Sequence, residues 1–153
     1  MRILQHILTI LLATLCLSSC RDNYYIENEL HGVWQVTSVE DLATEEVTEA
    51  QGELYYMFQR TMVLLYYKRP NTSEDMARYI AHFDLSNSNS ISMGDFRIYT
   101  TGEGNLINGE TKVPQGNLKK FGIYQDYTTF HLQQSKQKMT LTSDKARIEL
   151  RKY

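Results

Sequence analysis

The chain has 153 residues, with 16 basic and 18 acidic side chains and a formal net charge of −2. This length suits one domain with a substantial hydrophobic core. The sequence contains no basic stripe, which argues against nucleic acid as a partner. Eleven tyrosines and only two prolines favour strands.

The first twenty residues carry a hydrophobic segment that is too short to cross a bilayer. Arg2 gives a positive start, residues 3–17 are mostly apolar, and the small residues Ser18 and Ser19 lead to Cys20. A membrane-spanning helix needs about 20 apolar residues, whereas a shorter apolar core after a positive start is typical of a secretory signal. A buried N-terminal helix with incidental cysteines is the alternative.

The string LSSC that ends at Cys20 resembles a bacterial lipobox. In lipoproteins the small residues fit the signal peptidase, and the cysteine thiol receives a diacylglyceryl group. The resemblance implies a signal peptide over residues 1–19 and a lipidated tether over residues 20–29. We therefore expect acyl chains such as palmitate on Cys20 to anchor the protein in the cell envelope, at the outer membrane. Removal of Cys16 with the signal would exclude a disulfide.

The rest of the chain, residues 30–153, predicts a single domain built from short strands. Alternating or continuous apolar runs indicate strands at residues 33–39, 53–58, 61–68 and 76–85, with one or two more after residue 90. Between these strands, residues 45–53 are predicted to be a solvated acidic loop or a helical turn. Glycines and a proline predict that residues 105–124 are mostly loop.

The C-terminal strands alternate most clearly of all. Their apolar pairs are Phe130 and Leu132, Met139 and Leu141, and Ile148 and Leu150. Turn residues separate these runs, as in hairpins. About eight strands with little helix predict an all-β fold, either a closed antiparallel up-and-down barrel or a sandwich.

Gly32 and Trp34 open the first predicted strand, and the last strand carries Arg147 and Arg151. This arrangement resembles the lipocalin-like, or calycin-like, barrels, and with the lipobox it resembles small lipoproteins of Bacteroidetes-type bacteria. The resemblance implies a barrel in which Gly32 allows close backbone approach and Trp34 closes one end. It also implies that one of the two arginines packs over the indole, although alternation places both on the outward face. An ordinary core tryptophan is the alternative.

Aromatic and methionine side chains of the middle strands are candidates for lining a ligand cavity inside the barrel. Barrels of about eight strands are either filled by side chains or hold one small ligand. Tyrosine offers an apolar body and a hydroxyl group, which suits an amphipathic ligand. A packed core is the alternative. The six candidates are Tyr55, Met57, Met62, Tyr66, Tyr79 and Phe83.

Catalytic and metal-binding patterns are absent from the sequence. His31, His82 and His131 have no neighbours at ligand spacing, and the glycines near residue 104 do not form a dinucleotide-binding motif. We therefore expect no enzyme activity, metal or cofactor, and a binding module for a small hydrophobic or amphipathic ligand. The alternative is a filled barrel that engages another envelope protein through loops at residues 45–53 and 102–118.

Overall fold

The computed structural model describes residues 29–68, 75–99 and 111–153. Within them the chain forms one antiparallel sheet in which β1 pairs with both β3 and β9, so that the sheet closes on itself. The predicted up-and-down barrel is confirmed, with eight strands in the ring. The strands are β1 (Gly32–Asp41), β2 (Glu46–Glu49), β3 (Leu54–Gln59), β4 (Met62–Lys68), β5 (Asp75–Asn87), β6 (Ser90–Ile98), β7 (Tyr127–Gln134), β8 (Lys138–Thr142) and β9 (Ala146–Lys152).

Strand β2 is where the prediction of a loop or helical turn in the acidic stretch was wrong. The first half of β1 pairs with β3, from Gly32 to Gln35, while residues 38–41 pair with β2. The second half of β1 would otherwise leave one edge without partners, and unpaired backbone groups carry a free-energy cost. The hydrogen bonds that β2 forms with the backbone of β1 therefore outweigh the low strand propensity of glutamate.

Two short helices replace part of the predicted loop between β6 and β7. Helix α1 (Gln115–Leu118) continues directly into a 3-10 helix (Lys119–Phe121). Within the described residues, no helix is long and apolar enough to span a bilayer.

A bulge in β1 decides which of its side chains face the barrel interior. The register of β1 against β9 shifts between Val36 and Ser38, so Thr37 is an extra residue. Side chains alternate between the faces of a strand, and one extra residue shifts that alternation by one. Val36 before the bulge and Val39 after it are therefore both buried.

Large apolar side chains on the inward faces of the strands fill the barrel. Trp34 lies opposite Tyr56, which lies opposite Leu65, and all three are fully buried. The rings of Phe58 and Phe83 meet edge to face, with their centroids 5.3 Å apart. The barrel is thus of the filled kind, with a core of interlocking rings.

The helical segment closes one end of the barrel, which we call the helical end. Leu118, Phe121 and Ile123 are buried there. The ring of Phe121 meets Tyr56 and Tyr79 edge to face, with centroid distances of 6.2 and 6.1 Å. The opposite end, where β1 begins, we call the Trp34 end.

Gly122 allows the helical segment to approach the sheet closely. Its φ of 77° is in the left-handed region, and a Cβ atom there would lie 2.6 Å from Cγ1 of Ile148. Only glycine satisfies both conditions without displacing the core.

A buried hydrogen bond from Tyr56 ties the helical segment to the barrel wall, and Tyr56→Phe would remove it. The Tyr56 hydroxyl donates to the carbonyl oxygen of Phe121 at 2.5 Å. Burial raises the pKa of Tyr56, so the hydroxyl keeps its proton. Because the substitution leaves a buried carbonyl without its partner, we expect the free energy of unfolding in urea to fall by about 1–3 kcal/mol.

Tyr127→Phe is the matched control, because Tyr127 is 57% exposed and its hydroxyl lies 3.4 Å from Asp84. We expect its cost to stay within about 0.5 kcal/mol. Equal costs for the two substitutions would mean that the buried bond does not hold the helical segment.

Candidate functional site

The Trp34 end is closed by the indole itself. Trp34 is fully buried, and its Nε1–H donates to the carbonyl oxygen of Leu30 at 2.8 Å. Leu30 is helical, fully buried and lies just before β1. The indole therefore links the residues just before β1 to the core of the barrel.

The cation over the indole is Lys152, and not Arg147 or Arg151 as expected. The Nζ atom of Lys152 lies 4.4 Å from the Trp34 ring centroid. Trp34 and Lys152 are direct cross-strand partners, and residues opposite each other share a face. The two arginines lie at odd positions of β9, and alternation turns them outward.

Lys152 also holds the start of β1 through backbone contacts. Its ammonium donates to the carbonyl oxygens of Glu29 at 3.1 Å and His31 at 2.5 Å. Partial burial lowers the pKa of Lys152, while the charge of Glu29 opposes that shift. The contacts with two carbonyls and the indole face give the ammonium specific partners in place of water.

Gly32 makes room for this lysine, in the position where close approach was expected. Its φ is 117°, and a Cβ atom there would lie 3.3 Å from both Cε and Nζ of Lys152. Glycine is thus required by the backbone conformation and favoured by the lysine side chain.

The arginines stabilise the outer surface instead. Arg147 forms an exposed salt bridge with Glu40 at 2.9 Å. Both Nε and an Nη of Arg151 donate to Oε1 of Gln35. Gln35 in turn donates to the hydroxyl of Tyr55 at 3.0 Å. Arg151 therefore belongs to a polar network on the outside of the barrel.

Only two of the six side chains predicted to line the interior do so. Tyr79 lies opposite the inward Leu65, and Phe83 lies opposite the buried Met93. Both are part of the packed core. Nothing in the structure tests whether Tyr79 and Phe83 contact a ligand, so their binding role stays a prediction.

The other four point outward, and their predicted placement was wrong. Tyr55 and Tyr66 are opposite each other and alternate with the inward Tyr56 and Leu65. Alternation likewise turns Met57 and Met62 outward. The error arose because β3 is apolar on both faces, so its sequence does not show which face is inside. The affected residues are Tyr55, Met57, Met62 and Tyr66.

The outward tyrosines form a stacked cluster on the barrel wall. The rings of Tyr55 and Tyr66 are nearly parallel, with centroids 4.8 Å apart, and Tyr153 meets Tyr55 edge to face at 5.3 Å. The Lys68 ammonium lies 5.5 Å from the Tyr55 centroid. Tyr55 and Tyr66 are each less than a tenth exposed, so this cluster is a small external core.

A cleft of about 330 Å³ opens at the helical end, between β2 and the 3-10 helix, and we call it the end cleft. This volume falls within the range of ligand sites. Val39 and Leu54 form an apolar floor that continues into the core. The other lining residues are Asp41, Glu46, Thr48, Glu49, Ala50, Glu53, Lys119, Lys120 and Tyr124.

Acidic groups outnumber basic groups around the end cleft, with four carboxylates against two ammonium groups. Asp41 accepts hydrogen bonds from the backbone N–H of Ala43 at 2.9 Å and of Thr44 at 3.3 Å. These bonds and the Tyr124 hydroxyl hold the pKa of Asp41 below its ordinary value. Asp41 therefore keeps its negative charge to a lower pH than an ordinary aspartate does.

Lys120 lines the end cleft, and its ammonium group already contacts an aromatic ring. Its Nζ is 3.9 Å from the ring centroid of Tyr67. Burial lowers the pKa of Lys120, and Glu53 opposes the shift. The ammonium is thus held against an aromatic face. Lys119 supplies the other positive charge of the lining, and that charge acts on Asp41.

No local sequence pattern indicates the end cleft, because its lining comes from β1, β2, β3 and the 3-10 helix. The acidic stretch was identified, but as a loop. Lys152 could have been found by counting two positions on from the inward Leu150. Alternation then brings position 152 to the same face.

The described residues contain no group of three or more His, Cys, Asp or Glu side chains that could hold a metal ion. His31 Nε2 accepts a hydrogen bond from the backbone N–H of Arg60 at 3.0 Å, which gives it a structural role. His131 is exposed on β7.

Comparison with known proteins agrees with this architecture. A family model described as a lipocalin-like domain matches residues 15–153. A lipocalin-like protein from Bacteroides uniformis ATCC 8492 has a similar structure, with a TM-score of 0.57 and 15% identity, over 82% of this chain and 99% of that chain. An uncharacterized protein from Bacteroides eggerthii DSM 20697 gives a TM-score of 0.57 and 21% identity, over 81% and 99%. No curated protein matches.

A filled antiparallel barrel, with a tryptophan at the start of β1 and a cation from the last strand over it, defines a lipocalin-like barrel. The family match covers most of the chain, and the chain belongs to the lipocalin-like domain family. The two solved structures support the fold alone at these identities. This fold is typical of proteins that bind ligands without catalysis.

The predictions for the N-terminal region lie outside the described residues. They are the signal peptide at residues 1–19, lipidation of Cys20, and the tether at residues 20–29, of which only Glu29 is described. They stay predictions.

Lys152→Met tests the assignment of the cation over Trp34. It removes the contact with the indole and the two bonds to backbone carbonyls, so we expect the free energy of unfolding to fall by about 2 kcal/mol. Trp34 is the only tryptophan in the chain. Its fluorescence therefore reports on the cap, and its emission should change in the folded variant.

Arg147→Met is the control on the same strand, because its salt bridge with Glu40 is exposed. Exposed pairs contribute about 0–1 kcal/mol, and the Trp34 emission should not change. If Arg147→Met were the more costly substitution, or alone altered the emission, Lys152 would not be the capping cation.

Proposed function

We propose that this protein is a lipid-anchored envelope protein whose barrel binds a small amphipathic molecule at the end cleft. The observation that carries the proposal is the end cleft itself, which joins an apolar floor to a charged rim. The filled interior argues against a ligand deep in the barrel. Binding at the helical end requires no displacement of buried rings.

The shape of the cleft favours a ligand with one apolar side and one polar side. Val39, Leu54 and Ala50 offer apolar surface, and Tyr124 offers a ring with a hydroxyl group. Burying apolar area of the ligand against them contributes about 25 cal/mol per Å² before the costs of association.

The charge of the rim favours a ligand whose polar side is cationic. Four carboxylates line the cleft against the ammonium groups of Lys119 and Lys120, and Lys120 is already held by Tyr67. A cleft lined mainly by one sign of charge raises the local concentration of the opposite ion. We therefore expect amphipathic cations to bind more tightly than amphipathic anions of similar size.

Thr48→Trp tests the site, because Thr48 is exposed on β2 and lines the cleft. An indole at this position fills the space above Val39, the cross-strand partner of Thr48. Thioflavin T, a cationic aromatic dye, serves as the probe, and anilinonaphthalene sulfonate serves as the anionic comparison. We expect Thr48→Trp to weaken thioflavin T binding by about tenfold or more, measured by fluorescence titration.

Val47→Trp is the matched control, since Val47 is the neighbouring β2 residue and does not line the cleft. Thioflavin T should bind this variant as it binds the unaltered protein. Equal loss in both variants, or tighter binding of the anionic dye to the unaltered protein, would contradict the proposed site. Native mass spectrometry of the protein from its own membranes then identifies the natural ligand.

The membrane anchor is the second part of the proposal and is supported by the sequence around Cys20. A thiol at the end of a short apolar core, after two small residues, is where lipoproteins are acylated. Each buried CH₂ group contributes about 0.8 kcal/mol, so two or three acyl chains would hold the domain at the membrane.

Cys20→Ser should move the protein from the membrane fraction to the soluble fraction when it is expressed in a bacterium that processes lipoproteins. Cys16→Ser is the control, because that cysteine lies within the proposed signal peptide. Cell fractionation and mass analysis of the N-terminus give the answer. Membrane retention of the serine variant at position 20 would contradict the anchor.

The filled interior also favours a second candidate, a barrel that engages another envelope protein. The four residues of β2 are all exposed, and Val47 is 54% exposed. β2 is the end strand in the sheet order, so its outer edge could pair with an extended segment of a partner. In that case Val47→Trp, and not Thr48→Trp, would weaken binding of the partner protein.

A further inference from the structure

A second opening lies at the Trp34 end, on the far side of the barrel from the end cleft. It is a groove of about 430 Å³ between the β5–β6 turn and the last residues of β7, and we call it the turn groove. Glu29, at the entry to the barrel, forms one of its walls. The other lining residues are Ser88, Asn89, His131, Leu132, Gln133 and Gln134.

Gln134 gives the turn groove a polar group that the fold itself does not use. Its Nε2 atom is buried and has no hydrogen-bond partner in the part of the chain that the structure describes. No other side-chain nitrogen or oxygen of the described chain is both buried and unpartnered. A buried donor without a partner is costly, and such groups in native proteins call for an explanation.

The position of Gln134 follows from the alternation of β7. Thr128, Phe130 and Leu132 face the core, and Gln134 continues that face at the point where the barrel ends. The backbone N–H of Leu132 donates to the carbonyl oxygen of Asn89 at 2.8 Å, which fixes the turn beside it.

The groove is nearly neutral in charge. Glu29 is the one charged side chain among the described residues that line it, and the ammonium of Lys152 acts on that carboxylate. The remaining polar groups are amides, a hydroxyl and an imidazole. These groups both donate and accept hydrogen bonds without a net charge.

We propose that the turn groove binds a neutral sugar unit, and that the Gln134 side-chain amide rotates toward the groove to donate to a hydroxyl or carbonyl oxygen of the ligand. Sugar hydroxyls donate and accept, which matches the mixed inventory of this groove. An anion would face the carboxylate of Glu29, and a purely apolar ligand would leave Gln134 unpartnered. The volume of about 430 Å³ lies in the range of small-molecule sites.

The test uses the purified full chain and three related sugars, which are N-acetylglucosamine, cationic glucosamine and anionic glucuronate. The side-chain amide signal of Gln134 is assigned in ¹H–¹⁵N spectra by its absence from Gln134→Met. We expect N-acetylglucosamine to shift this signal saturably, and Gln134→Met to weaken its binding by about tenfold. The melting temperature of this variant should not fall, because it removes a buried donor that has no partner.

Gln137→Met is the matched control, because Gln137 is exposed in the β7–β8 turn and does not line the groove. It should bind N-acetylglucosamine unchanged. His131→Gln provides a second groove variant at an exposed position and should also weaken binding. The proposal is overturned if N-acetylglucosamine leaves the Gln134 signal unmoved, if Gln134→Met binds it as tightly as the unaltered chain, or if either charged sugar binds more tightly.

Discussion

The barrel closes where β1 pairs with β9, and the bulge at Thr37 in that pairing governs what lies inside. Because of this one extra residue, Val36 and Val39 both face the core although they differ by three positions. The same strand gives its other edge to β3 in its first half and to β2 in its second half. A single ten-residue strand thus closes the ring and recruits the acidic strand that forms the end cleft.

Closure of both ends follows from side chains that this strand brings into place. Trp34 and Lys152 are opposite one another, so the cap of one end is a cross-strand pair. At the other end, Phe121 rests on Tyr56, the cross-strand partner of Trp34. Since buried rings fill the interior and both ends in the described part of the chain, the end cleft and the turn groove lie at the rims.

This arrangement limits where the lipocalin-like barrel can take a ligand. A filled barrel cannot take a ligand into its centre without displacing buried rings such as Phe58, and tightly packed cores resist such displacement. The end cleft is instead lined by β2, the 3-10 helix and parts of β1 and β3, and the turn groove by the β5–β6 turn and the end of β7. Variation of these rim segments could change the ligand while the core stays the same.

The sequence predicted the architecture well because the C-terminal strands alternate strictly and β1 starts with Gly32 and Trp34. It did not predict which side chains of β3 point into the barrel, because Tyr55 and Tyr56 are both buried, one on each side of the wall. It missed the strand character of β2, since backbone pairing outweighed propensity there. The site at the rim depends on contacts among four segments, and no local pattern records such contacts.

The proposed lipid anchor on Cys20 adds a geometric reason for binding at the end cleft. The tether would enter beside Leu30, at the Trp34 end, so the end cleft lies on the opposite side of the barrel from the proposed anchor. A site on that side would face away from the membrane surface and stay open to molecules in the surrounding space.

The most direct test of this account is a crystal structure of the protein purified from its own membranes with its natural ligand retained. The account predicts ligand density in the end cleft, against Val39 and Leu54, with the interior rings unmoved. Density for a molecule inside the barrel, between Trp34 and Phe121 with Phe58 and Phe83 displaced, would contradict it.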